Sequence, residues 1–411
     1  MIAFVGIAVL LGLATAGSTN WRKIRWGPIG IALLLQFLLA GLVLRTSGGE
    51  AFFRVVNAGA AEFITAADVG IDFLFGTWPD RVMGPDGEPV QLPYVFAIRV
   101  LPIVIFMASI FSVLYHFGIL QRVVDWLARG LRRAMRISGA ESLGTIANVF
   151  LGMTEAPLMI RPYIASLTRS ELFCVMTAGL ATVAGSVLVA YMGLLGADYA
   201  GHLIAASFMS APAAVAMAKI MIPEEEVPKS LGGAHLEITR DTVNAIDAAA
   251  SGAAEGMRLA LNIGAMLIAF VALIYGLNAC LSWAGGLFGL PNLTFERILG
   301  IVLAPLTYLL GVPWADAPAV GQMLGIKTIL NEFLGYQLLA NVRETLDPRS
   351  VVIASYALCG FANFGSLAIL IGGLGGIAPE RRQDIARDGI RALVAGSLAT
   401  FLTGAIAGLV Y

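Results

Sequence analysis

Runs of about twenty apolar residues, each long enough to cross the ~30 Å hydrocarbon core of a bilayer, recur along this chain. They constrain the fold more than any motif, because in lipid every backbone polar group must be satisfied within a helix or a closed barrel. The runs cover 1–20, 27–45, 95–118, 171–195, 200–222, 259–285, 350–374 and 386–410. Charged residues make up 13% of the chain and hydrophobic ones 58%, whereas soluble domains carry about 25% charge. The pattern predicts an all-α polytopic membrane protein with eight transmembrane helices.

Arginines orient the spans. Residues 1–20 carry no charge, and Arg22, Lys23 and Arg25 follow them. Ala14-Thr15-Ala16 resembles a cleavage site, but a signal peptide carries its positive charge before its apolar core. The first run therefore reads as a spanning helix with its N-terminus outside. Residues 121–136, with Arg122, Arg129, Arg132, Arg133 and Arg136, then form a cytoplasmic loop, as does 380–391 with Arg381, Arg382, Arg387 and Arg391. Both termini are expected outside.

Three stretches are not simple spans. Residues 50–77 are amphipathic and read as a helix lying at the outer interface. Residues 140–166 and 318–346 are apolar but broken by Gly, Pro and polar residues. Counting either as a span would invert the arginine-rich 380–391 loop. Each reads as a re-entrant hairpin, the first entering from the cytoplasm and the second from outside. Irregular backbone at such depth is tolerated only where protein or a wet cavity covers it.

Each hairpin carries a carboxylate, Glu155 in Gly152-Met153-Thr154-Glu155-Ala156-Pro157 and Glu332 in Leu330-Asn331-Glu332-Phe333-Leu334-Gly335. A charge at membrane depth costs roughly 2.5–3.5 kcal/mol even on insertion scales, and such groups hold substrates or ions. The halves match. Thr154-Glu155 is followed by Arg169-Ser170 and Ala184-Gly185-Ser186, and Asn331-Glu332 by Arg349-Ser350 and Gly365-Ser366. Hairpin, broken helix and helix recur from opposite faces, the inverted repeat that sets a transporter's binding site near the midplane. Thr182-Val183-Ala184-Gly185-Ser186 has two open readings: unwound backbone offering carbonyls to a hard cation, or close helix packing. Asn363 and Ser366, three residues apart, share a helical face and suit hydroxyl-bearing ligands or interhelical hydrogen bonds.

The sequence also excludes. A net charge of −1 leaves no basic surplus for nucleic acid. Cys174, Cys280 and Cys359 lack metal-ligand spacing and read as buried small hydrophobes. His116, His202 and His235 are far in sequence from both glutamates, which argues against an intramembrane enzyme, and no filter-like motif suggests a channel.

The run Gly152 to Leu158, continuing through Arg161-Pro162-Tyr163-Ile164, resembles the hairpin of the concentrative nucleoside transporter family in its short bacterial form. So do Ala181-Thr182-Val183-Ala184-Gly185-Ser186-Val187, Asn331-Glu332-Phe333, Phe361-Ala362-Asn363 and the stretch from Ala248 to Met266. The resemblance covers most of the chain from about residue 95. It implies a homotrimer in the bacterial inner membrane with an elevator mechanism. The scaffold would comprise 1–118 and 259–315, with the grouping of 50–77 open, and the transport part 140–222 and 318–411. It further implies that Met153, Thr154, Glu155 and Val187, with Leu259 as an apolar wall, read the base. Glu332, Asn363 and Ser366, beside Phe361, would hold the ribose. Asn148 and Thr182, with carbonyls near Leu151 and Val183, would bind sodium, the coupling ion; no other cofactor is expected. Proton coupling is the alternative, since a glutamate could titrate. Met153 departs from the Gln of many members and resembles purine-preferring ones, because a thioether is a weak acceptor.

Overall fold

A computed structural model describes residues 2–76, 81–83, 89–91, 95–234, 242–290 and 292–411. His235 and the end of the 50–77 stretch at Thr77 lie outside the described residues. The chain begins with α1 (Ile2–Ala16), α2 (Trp26–Arg45) and α3 (Ser47–Phe75), the last capped by the Thr46 side chain. A short antiparallel pair follows, β1 (Arg81–Met83) with β2 (Pro89–Gln91). This pair is a small addition to an otherwise helical fold, too short to leave an alternating hydrophobic pattern.

Next come α4 (Phe96–Arg99), α5 (Leu101–His116) and α6 (Ile119–Met135). The expected 121–136 loop is therefore a helix. Leu120, Val124, Ala128, Leu131 and Met135 recur at helical spacing and are buried, while Arg122, Arg129 and Arg133 are exposed. Arginine density indicated exposure but concealed this periodicity. Arg136, at φ 53°, ends the helix in a left-handed turn.

Then come α7 (Gly139–Phe150), α8 (Arg161–Ile164), α9 (Arg169–Ala181), α10 (Gly185–Leu195) and α11 (Ala200–Met221). After α12 (Ala245–Gly286) and α13 (Phe295–Leu309) the pattern recurs as α14 (Ala317–Ile329), α15 (Glu332–Val342), α16 (Pro348–Leu358), α17 (Phe364–Ile377) and α18 (Arg382–Val410). Two corrections arise here. The 259–285 span starts fourteen residues earlier, at Ala245 (259 − 245 = 14). The 295–309 helix lay unrecognised within the 259–315 block; it packs along α14, where Gly300, Gly321 and Gly325 allow close approach.

Among the described residues, six helices are long and apolar enough to cross a membrane: Trp26–Arg45, Phe96–His116, Arg169–Leu195, Ala197–Met221, Ala245–Gly286 and Pro379–Val410. Ile2–Ala16 and Phe364–Ile377 are apolar but shorter. At roughly 1.5 Å per residue the first is about 22 Å long.

The centre consists of α9, α11 and α18, whose residues are buried almost all round, as expected of helices apolar on every face. In contrast, α12 buries mainly Ala248, Gly252, Gly256 and Ala260, a small-residue stripe against α5. A Cβ on Gly256 would stand 2.7 Å from Ile105 Cα, so only glycine permits this approach. Cys174 and Cys359 are buried as expected, but Cys280, on the outer face of α12, is exposed.

The Arg-Ser pairs that mark the two halves start α9 and α16. Arg169 grips Asp388 of α18 with two hydrogen bonds of 2.7 and 2.6 Å. Ser350 donates to Asp316 at 2.6 Å.

Candidate functional site

Two breaks in helical backbone build the site. The first lies between α9 and α10, where Thr182 is extended (φ −113°, ψ 171°). The second lies between α16 and α17, ending at the extended Asn363 (φ −145°, ψ 165°). Both divide runs that hydropathy alone reads as continuous. They touch: the Phe361 N–H donates to the Thr182 carbonyl at 3.4 Å. A Cβ on Gly360 would lie 2.8 Å from the Ala181 oxygen, so a glycine is required there.

Glu332 heads α15 immediately after Asn331, whose side chain caps that helix by accepting from the Leu334 N–H. Its carboxylate is only 5% exposed, and both oxygens are used. Oε1 accepts from the Tyr191 hydroxyl at 2.7 Å and Oε2 from Asn363 Nδ2 at 2.9 Å. Asn363 Oδ1 in turn accepts from the Ser366 N–H at 2.7 Å, capping α17. One amide therefore starts a helix and orients a carboxylate. Glu332, Asn363 and Ser366 are brought together as expected, with Phe361 buried in the same break.

The first hairpin reaches the same region from the other side. Met153 packs on α9, where a Cβ added to Gly179 would be 3.0 Å from Met153 Cβ; Thr154 similarly meets Gly373 of α17, at 3.2 Å. Thr154 and Glu155 are exposed at the hairpin tip, and Val187 is buried in the first turn of α10. Glu255 of α12 acts electrostatically on Glu155. Glu255, Leu259 and Met266 share one face of α12 by helical spacing, and Met266 approaches Gly365 at the start of α17. Partly buried Leu259 thus flanks the site on a separate element.

Around the first break oxygens converge. Thr182 Oγ1 donates to the carbonyls of Ala178 and Asn148, at 2.8 and 3.2 Å. Asn148 Nδ2 donates to the Gly144 carbonyl, whereas its buried Oδ1 has no hydrogen-bond partner. Leu151 and Val183 are buried alongside, and Gly152 turns at φ 90°. An unpartnered buried oxygen beside unwound backbone is what a desolvated hard cation satisfies.

Two residues escaped the sequence reading. Tyr191 lies in an apolar run and stacks on Tyr336 at 4.5 Å, with no signal in its surroundings to distinguish it. Lys327 is completely buried; a charge within an apolar run was a signal available for it.

An apolar cavity of about 330 Å³ lies beside the constellation, bounded by α3, α5, α7, α10 and α11. Val149, Phe150 and Leu188 are on its wall and Glu332, Asn363 and Ser366 are not, so it offers little to a hydroxyl-rich ligand.

Family models described as the Na+ dependent nucleoside transporter N-terminus and C-terminus match residues 5–78 and 202–408, and one described as nucleoside recognition, Gate, matches 97–198. An uncharacterized transporter of Haemophilus influenzae is 43% identical over 99% of this chain and 97% of its own length. The chain belongs to the Na+ dependent nucleoside transporter family. YutK, an uncharacterized transporter of Bacillus subtilis, is 42% identical over 98% of both chains. Mouse sodium/nucleoside cotransporter 1 is 38% identical over this whole chain, which spans 64% of that longer protein. The structure of CNTnw in an inward-facing substrate-bound state superposes with a TM-score of 0.91 at 40% identity, covering 100% of this chain and 98% of that one. Family membership makes this a helical membrane transporter and not an enzyme.

Proposed function

We propose that this family member imports nucleosides by sodium symport, holding the ribose on Glu332, Asn363 and Ser366 beside Phe361. The observation that carries the reading is the buried Glu332 carboxylate, oriented at 2.9 Å by the amide that caps α17. Carboxylate, amide and hydroxyl groups in one desolvated place match vicinal hydroxyls. Met153, Thr154, Glu155 and Val187 contact the base, with Leu259 flanking it. Sodium binds Asn148, Thr182 and carbonyls of Leu151 and Val183, where the Asn148 Oδ1 atom otherwise lacks a partner.

The order helix, break, helix, broken helix, long helix runs through α7–α11 and again through α14–α18. It supports two re-entrant hairpins in an inverted repeat with eight spans, a transport part of 140–222 and 318–411, and a scaffold of 1–118 and 259–315. CNTnw is described in inward-facing and in outward-facing states, and an elevator movement of the transport part suits a relative that takes up both. The exposed apolar residues of α12, Ile268 and Trp283 among them, suit lipid and further copies in a homotrimer. The setting is the bacterial inner membrane, with both termini outside and α3 at the outer interface.

In proteoliposomes, an inward sodium gradient at fixed pH drives labelled nucleoside accumulation above equilibrium. Proton coupling is the second reading, favoured by Glu155 and Glu255 sharing one neighbourhood. Accumulation driven by a pH gradient in sodium-free buffer would select it. Absence of accumulation under either gradient would dismiss both.

Purines are the preferred substrates, since Met153 offers apolar area and no directional partner for a pyrimidine edge. Met153→Gln should raise competition by uridine against labelled adenosine, because pairing a buried polar atom can discriminate strongly. A ranking unchanged by the substitution, with uridine already equal to adenosine, removes Met153 from base selection.

A further inference from the structure

Lys327 is a buried cation that nothing above uses. Its ammonium donates to the Ala357 carbonyl at 2.7 Å and to Thr400 Oγ1 at 2.8 Å. Ala357 is the penultimate residue of α16, so the charge sits at a helix C-terminus, where unsatisfied carbonyls carry partial negative charge. The same break begins two residues later, at Cys359. Desolvating an ammonium is costly; here it is offset by a carbonyl and a hydroxyl instead of a carboxylate.

Register gives this residue a counterpart. Lys327 lies two residues before the end of α14 at Ile329, and Asn148 lies two residues before the end of α7 at Phe150. Each sits on the first hairpin helix of its half and faces the last turn of the following broken helix. Thr182, which donates to the Asn148 carbonyl and to Ala178, directly follows α9 as Cys359 directly follows α16. The first half places there an amide oxygen without a partner. The second places a positive charge.

We propose that Lys327 is a tethered cation occupying, in the second half, the place that sodium takes in the first, so that each protomer exchanges one sodium ion. The second break then keeps its carbonyls neutralised throughout the cycle, while the first is neutralised only when an ion is bound. Lys327 and Glu332 stand on the two helices of the same hairpin, so the ammonium lies near the carboxylate whether or not sodium is present. The inference rests on the inverted-repeat and sodium assignments made above.

Sodium-activation curves of nucleoside uptake in proteoliposomes test it, with choline holding ionic strength constant and voltage set by potassium and valinomycin. Wild type should give a hyperbolic curve and one charge per nucleoside. Lys327→Asn removes the charge, shortens the side chain and supplies an amide oxygen like that of Asn148, which opens the place to a second exchangeable ion. Its curve should become sigmoidal, with a Hill coefficient rising from about one towards two, and its melting temperature should climb more steeply with sodium than that of wild type. Lys327→Arg keeps the charge and should keep the hyperbola. A folded Lys327→Asn protein with unchanged activation and unchanged sodium dependence of melting reduces Lys327 to a packing role and overturns the proposal. Two charges per nucleoside in wild type overturn it as well, without recourse to a variant that fails to fold. Wild-type uptake indifferent to sodium is a separate result, since it removes the symport reading itself.

Discussion

Glutamine in place of Glu332 lowers uptake at low substrate by roughly 30-fold to several-thousand-fold, equivalent to about 2–5 kcal/mol for disabling one partner of a buried charged contact. The size of the effect follows from how the carboxylate is held. Tyr191 and Asn363 both donate to it, and Asn363 cannot turn its amide without releasing the Ser366 N–H that caps α17. A glutamine offers one acceptor oxygen where two are used, and brings donors of its own into a place already supplied with them. Initial rates in proteoliposomes, well below half-saturation, measure the loss, and thermal melting shows whether the fold survives. A folded variant transporting like wild type would sink the ribose assignment.

Alanine at Gly360 should nearly abolish transport and lower stability by about 1–3 kcal/mol or more, the cost of overpacking a filled interior. The added Cβ would stand 2.6 Å from Thr400 Cγ2 and 2.8 Å from the Ala181 carbonyl oxygen. Neither neighbour is the free end of a flexible chain. Ala181 ends α9 at the first break, and Thr400 holds the Lys327 ammonium. Relief of the clash therefore separates the breaks and disturbs the surroundings of both Asn148 and Glu332. Gly372→Ala, where a Cβ meets nothing within 4 Å, serves as the control and should behave as wild type. Melting curves and uptake rates for the pair decide; equal behaviour would show that the breaks are free to separate.

Much of the architecture was legible because hydrophobic runs and chain-breaking residues act locally. Apolar length located α2, α5, α11 and α18. Gly, Pro and polar residues marked the interruptions at 151–155 and 330–331, whereas unwinding near Thr182 was one of two open readings and Asn363, expected on a helical face with Ser366, is the extended residue that caps α17. Charge within apolar sequence singled out Glu155 and Glu332, since only protein partners or a ligand can meet its desolvation cost. What failed locally was α6, whose period was hidden by arginines, and α13, whose apolar run is interrupted by an internal proline, Pro305.

Partnership across the chain was decided by tertiary structure alone. Tyr191 reaches Glu332 over 141 residues, and Lys327 reaches Thr400 over 73. Neither separation leaves a periodic trace, because a long-range hydrogen bond depends on where two packed helices cross and not on either helix's own pattern. The contact of the two breaks is of the same kind: glycine at 360 signals backbone freedom in the sequence, but only the approach of α9 shows why no side chain can stand there. The sequence by itself determined that the chain is apolar enough for a membrane and where charges interrupt its apolar runs. Helix packing determined that Glu332 and Lys327 meet an amide, hydroxyls and a carbonyl from other elements of the chain.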